Sequence, residues 1–224
     1  MITQTSYGRV WHPRLGELPD PPSEHLYTRG DQIDDALAAP AVAVVGARAC
    51  SSYGAHVARG LGHDLAAAGV TVISGLAHGI DGEAHCGALD AGGLTLAVLG
   101  CGIDRDYPAA HAELAKRVAA SGGIVSEYEP GIAPAPWRFP ARNRLIAALA
   151  QAVIVVEARE RSGALITVDL AMEIGRPIYA VPGEITSLLS VGTNELLRRG
   201  YATALTAADD VLSALGIEGD RDGR

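Results

Sequence analysis

Between Ala41 and His85 the chain reads AVAVVGARACSSYGAHVARGLGHDLAAAGVTVISGLAHGIDGEAH, a strand, a glycine turn, a helix, a second strand and a second glycine turn that opens another helix. Ala41–Val45 is a continuous apolar run, the pattern of a strand buried on both faces of a parallel sheet. Gly46 ends it. Ser51 and Ser52 are candidate N-caps for a helix whose apolar positions Val57, Leu61, Leu65 and Ala68 recur at helical spacing until Gly69 stops it. Such a βαβ unit calls for a parallel sheet, which leaves few architectures open.

Both turns have the composition of anion cradles. Gly46-Ala47-Arg48 precedes a helix N-terminus, where free N–H groups and the positive end of the helix dipole favour a phosphate and Arg48 adds a planar fork of donors. The run Val70–Ser74 leads into Gly75-Leu-Ala-His-Gly79-Ile-Asp81-Gly82, a second phosphate-sized nest. Asp81 either caps the following helix, holds Arg48 or the nest in place, or touches a ligand. Neither turn is the dinucleotide fingerprint, because the first is G-A-R rather than G-x-G-x-x-G and Ser74-Gly75 stands where a ribose-binding acid is expected. A Walker A loop is absent too, since Lys116 is the sole lysine and follows no glycine loop.

With 224 residues, 48% of them hydrophobic, the chain can bury one α/β domain with short extensions. Its longest nearly apolar run, Leu145–Val156, contains Gln151 and falls short of the roughly 20 residues that span a bilayer. The polar, proline-rich start carries no signal peptide, so a cytoplasmic protein with no membrane contact is expected. Cys50, Cys86 and Cys101 lack metal-ligand spacing and read as reduced, partly buried thiols; no metal and no cofactor are expected.

The net charge of −8, from 18 basic and 26 acidic groups, argues on its face against nucleic acid. Its distribution argues the other way. Pro130–Val156 holds no acidic residue, while Trp137, Arg138, Phe139, Arg142 and Arg144 crowd one stretch of a chain that has one phenylalanine and two tryptophans. Arginines for a phosphate backbone interleaved with rings for bases suit a single-stranded nucleic acid. The alternative is that Trp137 and Phe139 pack the loop onto the domain.

In order, residues 1–40 are expected to form an extended arm with a short edge strand at Leu26–Thr28 and a helix at Asp31–Ala38. Residues 41–216 read as a Rossmann-like domain and 217–224 as a disordered tail. Within the domain, the pattern predicts strands at Leu94–Leu99, Ile124–Glu127, Ala152–Val156, Ile178–Val181 and Thr203–Leu205. Helices are expected at Gly82–Ala91, Ala109–Ala120, Arg142–Ala150, Ala164–Ile174, Asn194–Arg199 and Ala207–Leu215. Pro130–Pro140 is expected as a loop and Glu184–Gly192 as a flexible segment. The sum is a doubly wound, mostly parallel α/β sheet with helices on both faces and its ligand at the carboxyl ends of the strands.

The motifs VVGAR, ISGLAHGIDGEAH, LAVLGCGID, FPARNRLIAALA, VVEA, SGALIT, GRPIYAVPG and GTNELLRRG, in this order from about residue 42 to 200, resemble the Rossmann-like domain of the bacterial DNA-processing protein A (DprA/Smf) family. The resemblance implies a homodimer that binds single-stranded DNA, protects it from nucleases and loads RecA recombinase during natural transformation. By residue it places the phosphate-cradle arginine at Arg48, the second cradle at Gly75, Gly79, Asp81 and Gly82, and the aromatic-basic site at Phe139, Arg142 and Asn143. With Gly46, Ser51, Trp137 and Arg138 these make the expected DNA-binding set. Ala47 departs from the serine common in the family, and the flanking helical and winged-helix domains of longer members have no room here. The dimer surface is expected near Leu188–Arg199.

A binding module is therefore expected rather than an enzyme. The rivals are a nucleoside-monophosphate N-glycosidic hydrolase of a related Rossmann-like family and a protein that binds a free nucleotide. Against the hydrolase, its PGGxGTxxE loop is not intact, since Pro182-Gly183 is followed by Glu184 and Gly192-Thr193-Asn194-Glu195 comes later. His78 and His85 either face the ligand or sit on a helix. His56, His63 and His111 read as solvated, and Glu157 as a partner that orients an arginine such as Arg142.

Overall fold

The computed structural model describes residues 7–217. Among them, nine strands form one sheet: β1 (Gly8–Val10), β2 (Leu26–Arg29), β3 (Ala41–Val45), β4 (Thr71–Ser74), β5 (Thr95–Leu99), β6 (Gly122–Ser126), β7 (Ala152–Val155), β8 (Ile178–Ala180) and β9 (Thr203–Ala204). Their spatial order is β1-β2-β6-β5-β4-β3-β7-β8-β9. Seven strands from β6 to β9 run parallel, and β1 and β2 add an antiparallel edge. The helices are α1 (Ile33–Ala38), α2 (Ser52–Ala67), α3 (Ile80–Asp90), α4 (Ala112–Ala120), α5 (Arg138–Leu149), α6 (Gly163–Glu173), α7 (Val191–Arg198) and α8 (Asp209–Ala214).

The period of two along each strand sends alternate side chains to opposite faces. Ala43, Val45, Ile73 and Val153 pack with α5 and α6. Val42, Val44, Val72 and Ile154 pack with α2, α3 and α8. Ala97, Leu99 and Ile124 face α4. From β3 the chain winds outward through β4 to β6, then crosses back to β7 beside β3 and continues to β9. The reversal lies between β3 and β7, where a doubly wound sheet opens a crevice at its carboxyl edge.

Several boundaries differ from those expected. Residues 7–40 are built into the domain: β2 pairs with β6, and a 3-10 helix at Pro13–Glu17 carries the fully buried Leu15. β6 starts at Gly122, not after the glycine pair, because Gly122 and Gly123 pair with Thr95 and Leu96. A Cβ on Gly123 would lie 1.9 Å from Ile33 Cδ1, so the bare backbone there is what lets α1 seat on the sheet. α3 starts two residues early and takes Asp81 and Gly82 into its first turn. α5 starts at Arg138 and takes in Pro140, which a first helical turn tolerates because its N–H groups have no intrahelical partner. The charged tail from residue 218 lies outside the described residues.

Candidate nucleic-acid interface

A cleft of about 540 Å³ opens at the carboxyl ends of β3 and β7, the crossover point of the sheet. Its wall includes Gly46, Arg48, Asp81, Phe139, Arg142 and Asn143 from the expected set. Gly75 lines an adjoining hollow of about 80 Å³ together with Arg48, Phe139 and Arg142. Ser51, Gly79, Gly82, Trp137 and Arg138 line neither.

The two cradles are closed by the protein's own carboxylates. Ser51 caps α2 as expected, its Oγ accepting from Gly54 N at 3.0 Å. Glu157, 3% exposed at the end of β7, accepts from Ser51 N at 2.9 Å and from Ser51 Oγ. It thus sits at the helix N-terminus where an external phosphate was envisaged, and it orients α2 rather than an arginine. In the second nest, Gly75 N and Ala77 N donate to Asp81 Oδ2 at 3.1 and 3.4 Å. Of the roles open to Asp81, holding the nest is the one seen. Gly79 has a left-handed φ of 74°, and a Cβ there would come within 2.3 Å of Ala47 O; the two turns touch at this point. A Cβ on Gly82 would meet His111 Cε1 at 2.8 Å.

Arg142 lies beneath the second nest, 4% exposed. Its Nη1 donates to Gly75 O at 2.9 Å and to Val98 O, and its Nε donates to Asn143 Oδ1 at 3.2 Å. Burial pushes the guanidinium pKa down to about 10, against the opposing pull of Asp81. Burial likewise raises the Asp81 carboxyl, which Arg142 counters. Asn143 Nδ2 donates to Gly163 O at 3.1 Å and ties α5 to the start of α6. These groups form an internal network in which each polar atom named has a partner, as buried polar groups require.

Arg48 stands apart. It is exposed, and among the described residues no ion pair involves it. Its Cζ lies 5.3 Å from the centroid of the Phe139 ring. Phe139 stacks on Tyr107, with centroids 5.3 Å apart and planes 24° from parallel. Trp137 is 62% exposed, and Arg138 Cζ lies 4.8 Å from its ring and 5.0 Å from that of Tyr128. On the same cleft Ser162, the N-cap of α6, makes no side-chain cap bond, and its Oγ is buried without a partner.

Tyr107, Ser162 and Thr167 line the cleft but are missing from the expected set. Tyr107 follows the carboxyl end of β5 in the same way that the expected residues follow β3 and β4, a positional signal available in the sequence. The histidines also differ. His85 is fully buried, bonded through Nδ1 to Thr95 Oγ1 at 2.7 Å. His111 is half-buried, its Nδ1 3.0 Å from Leu76 O and its ring edge-on to His78 at 4.7 Å. No cysteine among the described residues is bridged.

A family model described as DNA recombination-mediator protein A matches residues 3–216. A Mycobacterium tuberculosis relative is 49% identical over 195 residues, which are 87% of this chain and 50% of that protein. The X-ray structure of DNA processing protein A from Streptococcus pneumoniae superposes with a TM-score of 0.88 at 41% identity, covering 96% of this chain and 75% of that one. DNA processing protein A from Helicobacter pylori, a structure concerned with its single-stranded DNA binding mode, gives 0.86 at 32% identity, covering 96% and 98%. The chain spans about half the length of most curated relatives it matches. Fold, motifs and family model agree, and the chain belongs to the DNA recombination-mediator protein A family, which includes DprA and Smf.

Proposed function

We propose that this chain binds single-stranded DNA along the β3–β7 cleft, with a phosphate on Arg48 and bases on the Phe139–Tyr107 pair. The observation that carries this reading is Arg48 itself, an exposed guanidinium with no carboxylate partner beside a stacked aromatic pair. An anion is the natural partner of such a group, and rings at its side take bases of any sequence. The buried hydroxyl of Ser162 at the start of α6 offers a further donor on the same wall.

On this reading the protein is a binding module rather than an enzyme. Asp81, the carboxylate on the cleft wall, already accepts two backbone N–H bonds, which leaves it poorly placed as a base. The wider role we propose is that of a cytoplasmic homodimer that shields incoming single strands and passes them to RecA recombinase in natural transformation. It is supported by family membership and by the exposed Ile185 and Leu188 before α7 and Val191 at its start. Among the described residues no helix is long and apolar enough to cross a membrane.

Fluorescence titration of single-stranded and duplex oligonucleotides at two salt concentrations tests the binding. Preference for the single strand is expected, with a log–log salt slope of about −1.4 if roughly two phosphates are neutralised. Equal affinity for both forms overturns the stacking site. Affinity that does not grow with oligonucleotide length favours a free nucleotide instead, and release of adenine from AMP would mark an enzyme.

A further inference from the structure

A second hollow, of about 430 Å³, lies between the first turn of α2 and the segment joining β8 to α7. It shares no lining residue with the cleft. Its wall carries two carboxylates, Glu157 and Glu184, and the hydroxyls of Ser51, Ser187 and Ser190, and no lysine or arginine. The α2 N-terminus, which would otherwise draw an anion, is already met by Glu157 through both Ser51 N and Ser51 Oγ. A phosphate entering here would face two carboxylates at a helix end already neutralised. A cation would meet no positive side chain and would find acceptor oxygens on Glu184 and the serine hydroxyls. Among the described residues Glu184 has no ion pair of its own, so its charge is free for a ligand.

The rest of the wall selects among cations. Pro182 and the ring of Tyr53 give it apolar sides, and Tyr53 OH donates to Pro182 O at 3.3 Å, setting the ring beside the opening. An aromatic face and a proline suit a methylene chain, and the ring also attracts a positive charge. Asn194 holds the rim, its Oδ1 accepting from Gly183 N at 3.1 Å and its Nδ2 donating to Gly183 O at 3.0 Å, so the hollow is formed without a ligand. From this geometry we infer that the hollow between α2 and the β8–α7 segment binds a protonated aliphatic amine, whose three N–H donors are shared between Glu184 and the serine hydroxyls.

Calorimetric titration of the whole chain with putrescine (1,4-diaminobutane) at low ionic strength tests this. Saturable binding is expected, and 1,4-butanediol, of the same length but uncharged, should not bind. Glu184→Gln should weaken putrescine about tenfold, the loss of one charge-assisted hydrogen bond at a partly solvated site. Glu173→Gln, an exposed carboxylate at the far end of α6, should leave it unchanged. Binding of the diol as tight as that of the diamine, equal losses in the two variants, or no saturable binding at all would each overturn the proposal. Because none of these measurements involves DNA, their failure leaves the cleft reading where it stands.

Discussion

The inner floor and the outer rim of the cleft are built from the same residue types and do opposite things. On the floor, Arg142 and Asp81 are buried, and backbone groups or neighbouring side chains satisfy their charges. On the rim, Arg48 and Trp137 are exposed, and their contacts are to other rim groups or to solvent. A charged group in the floor has no affinity left to offer a ligand, and removing it uncovers its partners. A charged group on the rim costs the fold little and is available to a phosphate. The difference teaches that two arginines expected together in one DNA-binding set, Arg48 and Arg142, are of opposite kinds, and that burial, not residue type, separates them. Substitutions on the floor should therefore register in stability, and those on the rim in binding.

The largest expected effect is on the floor. Arg142→Ala leaves Asp81 buried without its guanidinium and strands Gly75 O and Val98 O, so it should destabilise the fold by about 3–5 kcal/mol in chemical denaturation. A variant with near-native stability but lost DNA binding would move Arg142 to the rim class and break the division.

His85 extends the floor's logic to pH. Thr95 Oγ1 donates to Val72 O at 2.8 Å, so the His85–Thr95 bond uses a proton on Nδ1, and Nε2 is left buried without a partner. Protonation would bury a charge there, and burial accordingly lowers the His85 pKa to about 3. The unfolded chain, with an ordinary imidazole, binds the proton more readily between pH 6.5 and 3. This contribution is thus fully present above about pH 6.5 and falls as pH drops, by about 2–3 kcal/mol at about pH 4.5. His85→Gln should flatten the pH dependence of the denaturation midpoint in that window; an unchanged slope would show that His85 titrates freely.

Much of this architecture was legible beforehand. The unbroken apolar runs at Ala41–Val45 and Ala152–Val156 and the helical spacing of Val57, Leu61 and Leu65 fixed the central strands and α2, because burial on both faces leaves a strong pattern. Three features stayed hidden for physical reasons. Gly122 and Gly123 look like a break, yet their missing side chains are what admit Ile33 and Thr95. Pro140 looks like a loop residue, yet it falls in the first turn of α5. The filling of both cradles by Glu157 and Asp81 is a long-range pairing, and a glycine nest that holds an internal carboxylate reads the same as one that holds a phosphate.

On the rim, Arg48→Ala should leave denaturation unchanged and weaken single-stranded DNA by about 1.5–3 kcal/mol, roughly ten- to a hundredfold, since one charge-assisted bond to phosphate is lost. The salt slope should fall by about 0.7 for the one phosphate released. Loss of stability with binding intact would instead place Arg48 in the internal network with the floor residues.

The smallest effects should come from the rings, and they sharpen the comparison most because they locate the strand. Phe139 lines the cleft, lies 5.3 Å from the Arg48 guanidinium and stacks on Tyr107, whereas Trp137 is more exposed and lines neither hollow. Phe139→Ala should cost about 1–3 kcal/mol of DNA binding through lost stacking, with the salt slope nearly unchanged because no phosphate contact is removed. Trp137→Ala should cost less, at or below about 1 kcal/mol, if the bases enter the cleft. The reverse order in fluorescence titration would mean that the strand runs over the outer surface of α5, where Arg138 beside Trp137 would replace Arg48 as the phosphate contact. The double variant Arg48→Ala/Phe139→Ala then decides between the two paths. Coupling between the two losses is expected if one nucleotide spans both groups, and strict additivity would separate them.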